Sequence, residues 1–423
     1  MGLEGVLFGV SPLVWLAGAL ALYMAWAIGA NDVANAMGTS VGSGALTITA
    51  AVVVAGVLEF SGAFFVGGHV TDTVRKGILA SEAVAGNSQL LLYGMLGSLA
   101  AAATLLLVAT RWGLPVSTTH SIVGAIVGFG AVGMGLDAVV WGKVAQIVAS
   151  WVTSPLIGGV LAFLVFNLTR WLILDRENPL LEARRYGPYF FFFVTFIIGL
   201  VTLFKGLKNL KLDFDLPQAM ALSALLGLLG AAVGRFFLKR VHPFEGEDRD
   251  ERFRSVERVF VVLQIMTACT VAFAHGSNDV ANAIGPLAAV IHVAQGAEFV
   301  GKAAVAPWML VVGGIGIVIG LATWGYRVME TVGKKITELT PSRGFAAELA
   351  AALTIVLASR LGIPVSTTHI LVGSVLGVGM ARGIAALDLR VVGSILISWV
   401  ATLPIAAILS IFFFYFFKGL LGP

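Results

Sequence analysis

Long uncharged apolar stretches recur along the whole chain, and they constrain its fold more than any other feature. They lie at 5–31, 33–58, 83–110, 112–136, 144–169, 186–204, 216–234, 259–278, 303–326, 361–381 and 391–417. A helix that crosses a bilayer needs about 20 apolar residues. Charged residues make up only 12% of the chain, whereas soluble domains carry about 25%. The sequence therefore predicts an all-α polytopic protein of the cell membrane, surrounded by the lipid bilayer.

Two motifs occur twice, and they indicate an internal duplication. The segment "GANDVANA" at 29–36 recurs as "GSNDVANA" at 276–283. The segment "PVSTTH" at 115–120 recurs at 364–369. Because the motifs keep a similar spacing in both copies, we predict a repeated unit of roughly 160 residues.

This spacing divides the chain into a first repeat at 1–169, a connector with two spans and a cytoplasmic loop at 170–258, and a second repeat at 259–423. The basic loop within 235–258 is assigned to the cytoplasm, because cytoplasmic loops are enriched in Lys and Arg. Counting spans from this loop gives about twelve crossings, with both termini outside and an odd number before the second repeat. The two repeats then have inverted topology, which is typical of secondary transporters with a substrate site where the repeats meet. The "PVSTTH" segments could be full spans or re-entrant hairpins.

The "NDVAN" motif places an acid and two amides inside an apolar stretch. An ionised carboxylate within a bilayer is costly unless it is paired or faces water, so such acids are functional candidates. Flanking glycines are expected to let the helix break and expose carbonyl oxygens. Carboxylate, amide and carbonyl oxygens are ligands that suit Na⁺. The alternative role of these polar side chains is to form hydrogen bonds between helices. The predicted cation ligands are Asp32, Asn31 and Asn35 in the first copy and Asp279, Asn278 and Asn282 in the second.

The "PVSTTH" motif resembles the start of a helix, with a proline in its first turn and hydroxyl residues at its cap. A helix N-terminus is a favourable site for an anion, because its backbone N–H groups are free and its dipole end is positive. Alternatively, the two motifs could simply cap the starts of two helices without binding an anion. The predicted anion ligands are Ser117, Thr118 and Thr119, their counterparts Ser366, Thr367 and Thr368, and the amides of Asn35 and Asn282.

Phosphate fits this combination of groups because it is small, tetrahedral and rich in hydrogen-bond acceptors. At neutral pH it is partly dianionic, so two cations at two aspartates would offset its charge where one would not. Na⁺ is the expected coupling ion, and no other cofactor is predicted. The net charge of +4 comes with no continuous cationic tract, so no nucleic-acid partner is expected.

For other polar residues in apolar surroundings, the sequence supports only more general hypotheses. Glu59 and Glu348 are lone acids that could line the transport pathway, and Gln264 is a weaker candidate of the same kind. Three histidines, His120, His275 and His369, are expected to be hydrogen-bonding residues. No Cys/His cluster with zinc spacing accompanies them, so no transition-metal site is predicted.

The sequence contains no nucleophile elbow, P-loop, HExxH or Rossmann fingerprint, so an enzyme is not predicted. "GANDVANA", "GSNDVANA" and the paired "PVSTTH" resemble the inorganic phosphate transporter (PiT) family over nearly the whole chain. The resemblance implies two inverted repeats and symport of phosphate with Na⁺ or H⁺. It also implies functional roles for Asp32, Asp279, Glu59, Glu348 and the two hydroxyl clusters, and it is in keeping with a homodimer.

These observations lead to the hypothesis of a Na⁺-coupled phosphate symporter that works by alternating access. Three alternatives stay open at this stage. The first is an H⁺-coupled carrier of phosphate or metal phosphate, and the second is a carrier of another tetrahedral oxyanion such as sulfate. The third is a passive anion channel, which would need no cation ligands.

Overall fold

The structure is a computed structural model that describes residues 11–75, 78–203, 214–241, 249–296, 305–360 and 365–422. Fourteen α-helices account for most of these residues. In chain order they are α1 (Pro12–Gly42), α2 (Ile48–Arg75), α3 (Ser81–Ala85), α4 (Ser88–Arg111), α5 (Thr118–Gly133), α6 (Trp141–Thr169), α7 (Pro179–Val201), α8 (Leu216–Arg240), α9 (Arg249–Ala294), α10 (Pro307–Thr323), α11 (Tyr326–Glu330), α12 (Pro341–Arg360), α13 (Thr367–Arg382) and α14 (Leu389–Leu421).

The described helices confirm an all-α polytopic membrane protein. Seven of them contain a segment that is long and apolar enough to cross a membrane, namely α1, α2, α4, α6, α8, α9 and α14. An eighth candidate consists of α10 and the segment that follows it, which are bent relative to each other by 55°. The predicted count of about twelve crossings and the inverted orientation of the repeats stay predictions.

The two "NDVAN" segments lie within continuous helices, so the predicted helix breaks are wrong. α1 runs unbroken from Pro12 to Gly42, and α9 continues through Gly276 and Pro286. A turn follows α1, so the uncharged stretch 33–58 is not a single span. The glycines serve close packing instead, because a Cβ atom on Gly29 would collide with the backbone of α10.

The "STTH" segments do begin helices, as the motif predicts. α5 and α13 are 16 residues long, which corresponds to about 24 Å of helix. This is shorter than the hydrocarbon core of about 30 Å. A short loop joins α4 to α5 and the two helices pack against each other, so α5 fits the re-entrant alternative better than a full span.

Helices with equivalent motifs pack in a reciprocal pattern. α1 packs against α10 while α9 packs against α2, and α5 packs against α14 while α13 packs against α6. Glycines mark equivalent close approaches: Gly29 meets the backbone of Ile317, and Gly276 meets the backbone of Glu59. This reciprocity supports the predicted repeats, although the exact division of the chain stays a prediction. It also brings both pairs of motifs into one buried region.

Candidate ion-binding site

Asp32 is fully buried, and hydroxyls from both "STTH" copies hydrogen-bond to it. Thr118 donates a hydrogen bond to Asp32 Oδ2 over 2.8 Å, and Thr368 donates one to Asp32 Oδ1 over 3.4 Å. Thr118 is the first residue of α5, and Thr368 is the second residue of α13. One carboxylate therefore joins the starts of two helices that are far apart in sequence.

Asn35 and Asn282, equivalent residues of the two "NDVAN" motifs, contact the hydroxyl cluster of the other repeat. Asn35 Nδ2 donates a hydrogen bond to Thr368 Oγ1 over 2.9 Å. Asn282 Nδ2 lies 3.4 Å from the Oγ1 atoms of both Thr118 and Thr119. Each predicted cation motif therefore contacts the predicted anion motif of the other copy, and this exchange follows the reciprocal packing of the helices.

His275 lies between the two aspartates of the "NDVAN" motifs. Its Nε2 atom is 3.0 Å from Asp279 Oδ2 and 3.5 Å from Asp32 Oδ2, and its Nδ1 atom is 3.1 Å from Glu59 Oε2. Ligand atoms of His275, Asp32 and Asp279 all lie within 4.8 Å of one another, close enough to hold a metal ion. Three buried acids around one imidazole form a cluster that an added cation would stabilise, because a buried carboxylate needs a counter-charge.

The position of His275 is the main feature that sequence reasoning missed. A sequence signal for it does exist, because His275 precedes Asp279 by one helical turn, so the two side chains share a face. The first motif has Ile28 at the equivalent position, and the partner of Glu59 in the reciprocal packing is Ile317. The duplicated site is therefore asymmetric, with an ionisable pair on one side and an apolar pair on the other.

The serines of the two motifs cap the helices that follow them. Ser117 Oγ accepts a hydrogen bond from the backbone N–H of His120, and Ser366 Oγ accepts one from the backbone N–H of His369, both over 3.2 Å. These bonds hold the first turns of α5 and α13 in place. Of the hydroxyls predicted to bind phosphate, those of Thr118 and Thr368 contact Asp32 directly, whereas those of the serines lie at the caps.

Asn31 has a different environment from Asp32 although it is adjacent in sequence. Its Nδ2 atom donates hydrogen bonds to Thr110 Oγ1 and to the Leu114 carbonyl, both over 3.0 Å. Its Oδ1 atom accepts a hydrogen bond from Val116 N over 3.2 Å. The amide thus holds the loop between α4 and α5, which places it on the loop side of α1 and not among the carboxylates.

The remaining predicted ligands, Asn278 and Thr367, line a small cavity beside the carboxylate cluster. Asn35 and His275 also line it, and the other lining side chains are apolar. Four polar residues from α1, α9 and α13 therefore surround one space next to Asp32 and Asp279. The space has a volume of about 10 Å³, enough for a single water molecule, and predicted ligands from both repeats lie around it.

Glu348 lies in a second buried polar cluster, about 10 Å along α1 from Asp32. Ser40 donates a hydrogen bond to its carboxylate over 2.8 Å, Thr267 donates one over 2.6 Å, and Thr39 donates a third. Gln264 Nε2 lies 3.5 Å from the same carboxylate. Glu348 and Gln264 stand out in the sequence as polar residues in apolar surroundings, whereas these hydroxyls, which come from α1 and α9, do not. A role for Glu348 or Glu59 in the pathway stays a prediction.

Comparisons with known proteins identify the family. The profile of the "Phosphate transporter family" matches residues 28–410. The chain is 46% identical to a Haemophilus influenzae protein named "Putative phosphate permease", with 96% of each chain covered. It is 44% identical to "Inorganic phosphate transporter 2-1, chloroplastic" of Arabidopsis thaliana, covering 95% of this chain and 71% of that protein. The chain belongs to the phosphate transporter family.

A solved structure shares the fold of this transporter. The structure named "The sodium-dependent phosphate transporter" superposes with a TM-score of 0.86 at 42% identity, over 96% of this chain and 99% of that one. Family membership confirms the resemblance found in the sequence and the prediction of a membrane transporter that is not an enzyme. The predicted multi-pass location in the cell membrane is consistent with the family.

Proposed function

We propose that this transporter is a secondary active symporter of inorganic phosphate, driven by a Na⁺ gradient and working by alternating access. The observation that carries the proposal is the pair of hydrogen bonds that Asp32 accepts from Thr118 and Thr368. It joins the cation motif to both anion motifs in one buried cluster. The sodium dependence named for the similar solved structure supports the choice of ion.

The hydrogen bonds of Asp32 provide a physical basis for coupling. The hydroxyls of Thr118 and Thr368 donate to its carboxylate, so their protons are not directed toward an anion. A cation that binds the oxygens of Asp32 competes for the same lone pairs and releases these hydroxyls. They can then donate to phosphate, while the cation offsets its charge in a region of low dielectric. Cation binding therefore prepares the anion site.

The helix starts add a contribution that does not depend on side-chain charge. The first N–H groups of α5 and α13 have no partner within their helices, and the positive ends of both dipoles lie at the threonines. An anion held between Thr118 and Thr368 would interact with both helix starts. Asp32 and Asp279 would hold the two cations, so that neither charge is buried without compensation.

Uptake into proteoliposomes tests the coupling ion. Labelled phosphate uptake is measured with an inward Na⁺ gradient at equal internal and external pH, and then with a pH gradient in the absence of Na⁺. We expect uptake against the phosphate gradient only with Na⁺. Equal accumulation driven by pH alone would instead establish the H⁺-coupled carrier of phosphate or metal phosphate.

Competition by sulfate tests the transported anion. Excess sulfate should leave phosphate uptake unchanged, and strong competition would favour a carrier of several oxyanions.

The substitution Asp32→Asn tests whether the acid couples the two ions. Asparagine cannot offset the charge of a bound cation, so we expect Na⁺-driven uptake to fall about 100-fold or more, which corresponds to about 3 kcal/mol. Asp215→Asn is the matched control, because Asp215 is an exposed helix cap and asparagine caps equally well. If D32N retained the wild-type phosphate flux, the chain would instead be a passive anion channel.

A further inference from the structure

A lipid-facing groove runs along α6, between α13 and α14. Its volume is about 880 Å³, within the range of small-molecule sites. Residues of α6 that line it are strongly exposed, including Val152 (63%), Leu156 (61%) and Val160 (58%). On a helix that crosses a membrane, such apolar exposure faces hydrocarbon, so the groove opens toward the bilayer.

Apolar residues form most of the lining of the groove. Of the described residues that line it, only His369 has an ionisable side chain, and across from α6 the groove is bounded by apolar residues such as Met380 and Val400. This apolar surface could contact either a lipid or the apolar helix of another membrane protein. The feature that favours a lipid lies at the end of α6.

A basic pocket of about 360 Å³ lies about one helical turn beyond Phe163, the last residue of α6 that lines the groove. It is lined by Asn167, Arg170, Trp171, Asp175 and Arg176. Arg170 pairs with Asp175 over 3.1 Å, and the Arg176 guanidinium lies 5.6 Å from the centre of the Trp171 ring. With two guanidinium groups and one carboxylate, the pocket has a net positive charge, and its donors suit a phosphodiester.

The groove and the pocket lie on one face of α6. Leu156, Val160 and Phe163 line the groove, and Asn167 and Arg170 line the pocket. These residues follow one another at intervals of three or four, the spacing of a single helix face. An exposed tryptophan beside the arginines is typical of the level of lipid headgroups. A lipid that lay along this face would therefore place its acyl chain in the apolar groove and its charged headgroup in the basic pocket.

We propose that an anionic phospholipid binds lengthwise on α6, with its phosphate between Arg170 and Arg176 and an acyl chain in the groove. The predicted orientation places the segment after α6 in the cytoplasmic leaflet, where anionic lipids are enriched. The lipid would also contact α13, whose second residue, Thr368, hydrogen-bonds Asp32. The site does not depend on which ion drives transport.

Native mass spectrometry of the full chain tests the pocket. Retention of phosphatidylglycerol and of phosphatidylcholine with the same acyl chains is compared for the wild type and for R170Q/R176Q. We expect the preference for phosphatidylglycerol to fall about fivefold for each arginine removed. R170K/R176K should keep most of it. The matched control R235Q/K239Q removes two exposed basic residues of α8 and should keep the preference entirely.

Two results would overturn the headgroup assignment. One is an unchanged preference in R170Q/R176Q, and the other is an equal loss in R235Q/K239Q, which would show a general charge effect. Displacement of phosphatidylglycerol by millimolar inorganic phosphate would also overturn it, because the pocket would then bind the free anion.

A substitution that fills the groove tests the acyl chain. Val160→Trp adds bulk at an exposed lining position, and Leu156→Trp does so one turn away. Leu164→Trp is the control, because Leu164 is exposed on α6 without lining the groove. We expect V160W and L156W to weaken retention of both lipids equally, with L164W unchanged. Unaltered retention in both groove variants, or a change of oligomeric state in place of lipid loss, would contradict the proposal.

Discussion

Neighbouring buried polar residues in this transporter have different roles. Asp32 accepts hydrogen bonds from two threonines, whereas the neighbouring Asn31 makes three hydrogen bonds to the end of α4 and the loop before α5. Adjacent residues on a helix point about 100° apart, so one motif serves a site on one side and a loop on the other. Each function can be tested separately.

The hydroxyl of Thr118 is expected to be required for phosphate affinity. Thr118→Val removes a donor to a charged group, which is worth about 1.5–3 kcal/mol. In uptake assays we expect KM for phosphate to rise about tenfold or more. Thr118→Ser should restore most of the affinity. Thr104→Val is a control, because that hydroxyl bonds only to the Ala100 carbonyl of its own helix. A wild-type KM in T118V would show that this hydroxyl does not serve the anion.

Asn31→Ala is expected to destabilise the protein, because it leaves buried partners in the loop without hydrogen bonds. Each unsatisfied buried group costs about 1–3 kcal/mol. We expect a lower midpoint of thermal unfolding in detergent, with the Na⁺ dependence of the remaining uptake unchanged. The opposite pattern, normal thermal stability with a weaker response to Na⁺, would support the sequence hypothesis that Asn31 is a cation ligand.

At the scale of elements, small residues allow helix backbones to come very close. Gly29 of α1 packs directly on the backbone of α10, and Gly276 of α9 packs directly on the backbone of α2. Membrane helices associate mainly through such contacts, because lipid tails are as apolar as leucine side chains. This packing explains why α1 and α9 stay continuous through glycines that were expected to break them.

A pair of alanine substitutions in α1 tests this explanation. Gly29→Ala forces a Cβ atom against the backbone of Ile317, and overpacking of this kind costs about 1–3 kcal/mol. Gly18→Ala meets no atom within 4 Å and should be neutral or stabilising by about 0.5–1 kcal/mol. Thermal unfolding of both variants in detergent measures the difference. Equal midpoints would show that the close approach of α1 and α10 does not need the glycine.

At the scale of the whole molecule, the two repeats exchange partners, so the site exists only where they meet. In the described residues, seven helices of at least 16 residues precede α9. If each crosses once, or if α4 and α5 together return to the same side, α1 and α9 run in opposite directions. In either case the two repeats would have the inverted topology that the loop charges predict.

Single-cysteine labelling tests this topology directly. In a Cys269→Ser background, Thr47→Cys and Gln295→Cys place thiols at exposed positions just after the ends of α1 and α9. We expect an impermeant maleimide added outside intact cells to label the cysteine at 295, and the cysteine at 47 only after permeabilisation. Labelling of both positions from the same side would mean that the repeats are parallel.

Much of the fold follows from local sequence patterns. Apolar runs longer than a bilayer span predict membrane helices, and Ser117 and Ser366 predict helix starts through their capping hydroxyls. The duplicated motifs also name most residues of the buried cluster. These inferences succeed because hydropathy and capping depend on neighbours within a few positions along the chain.

The contacts that define the site were decided by the tertiary structure. The position of His275 between Asp32 and Asp279, the hydroxyls around Glu348 and the attachment of Asn31 to the loop before α5 each join side chains from separate helices. Their partners are fixed by which helices pack and at what distance, a property of the whole bundle. The sequence alone determined that acids and hydroxyls would be buried in a membrane. Packing decided which of them meet.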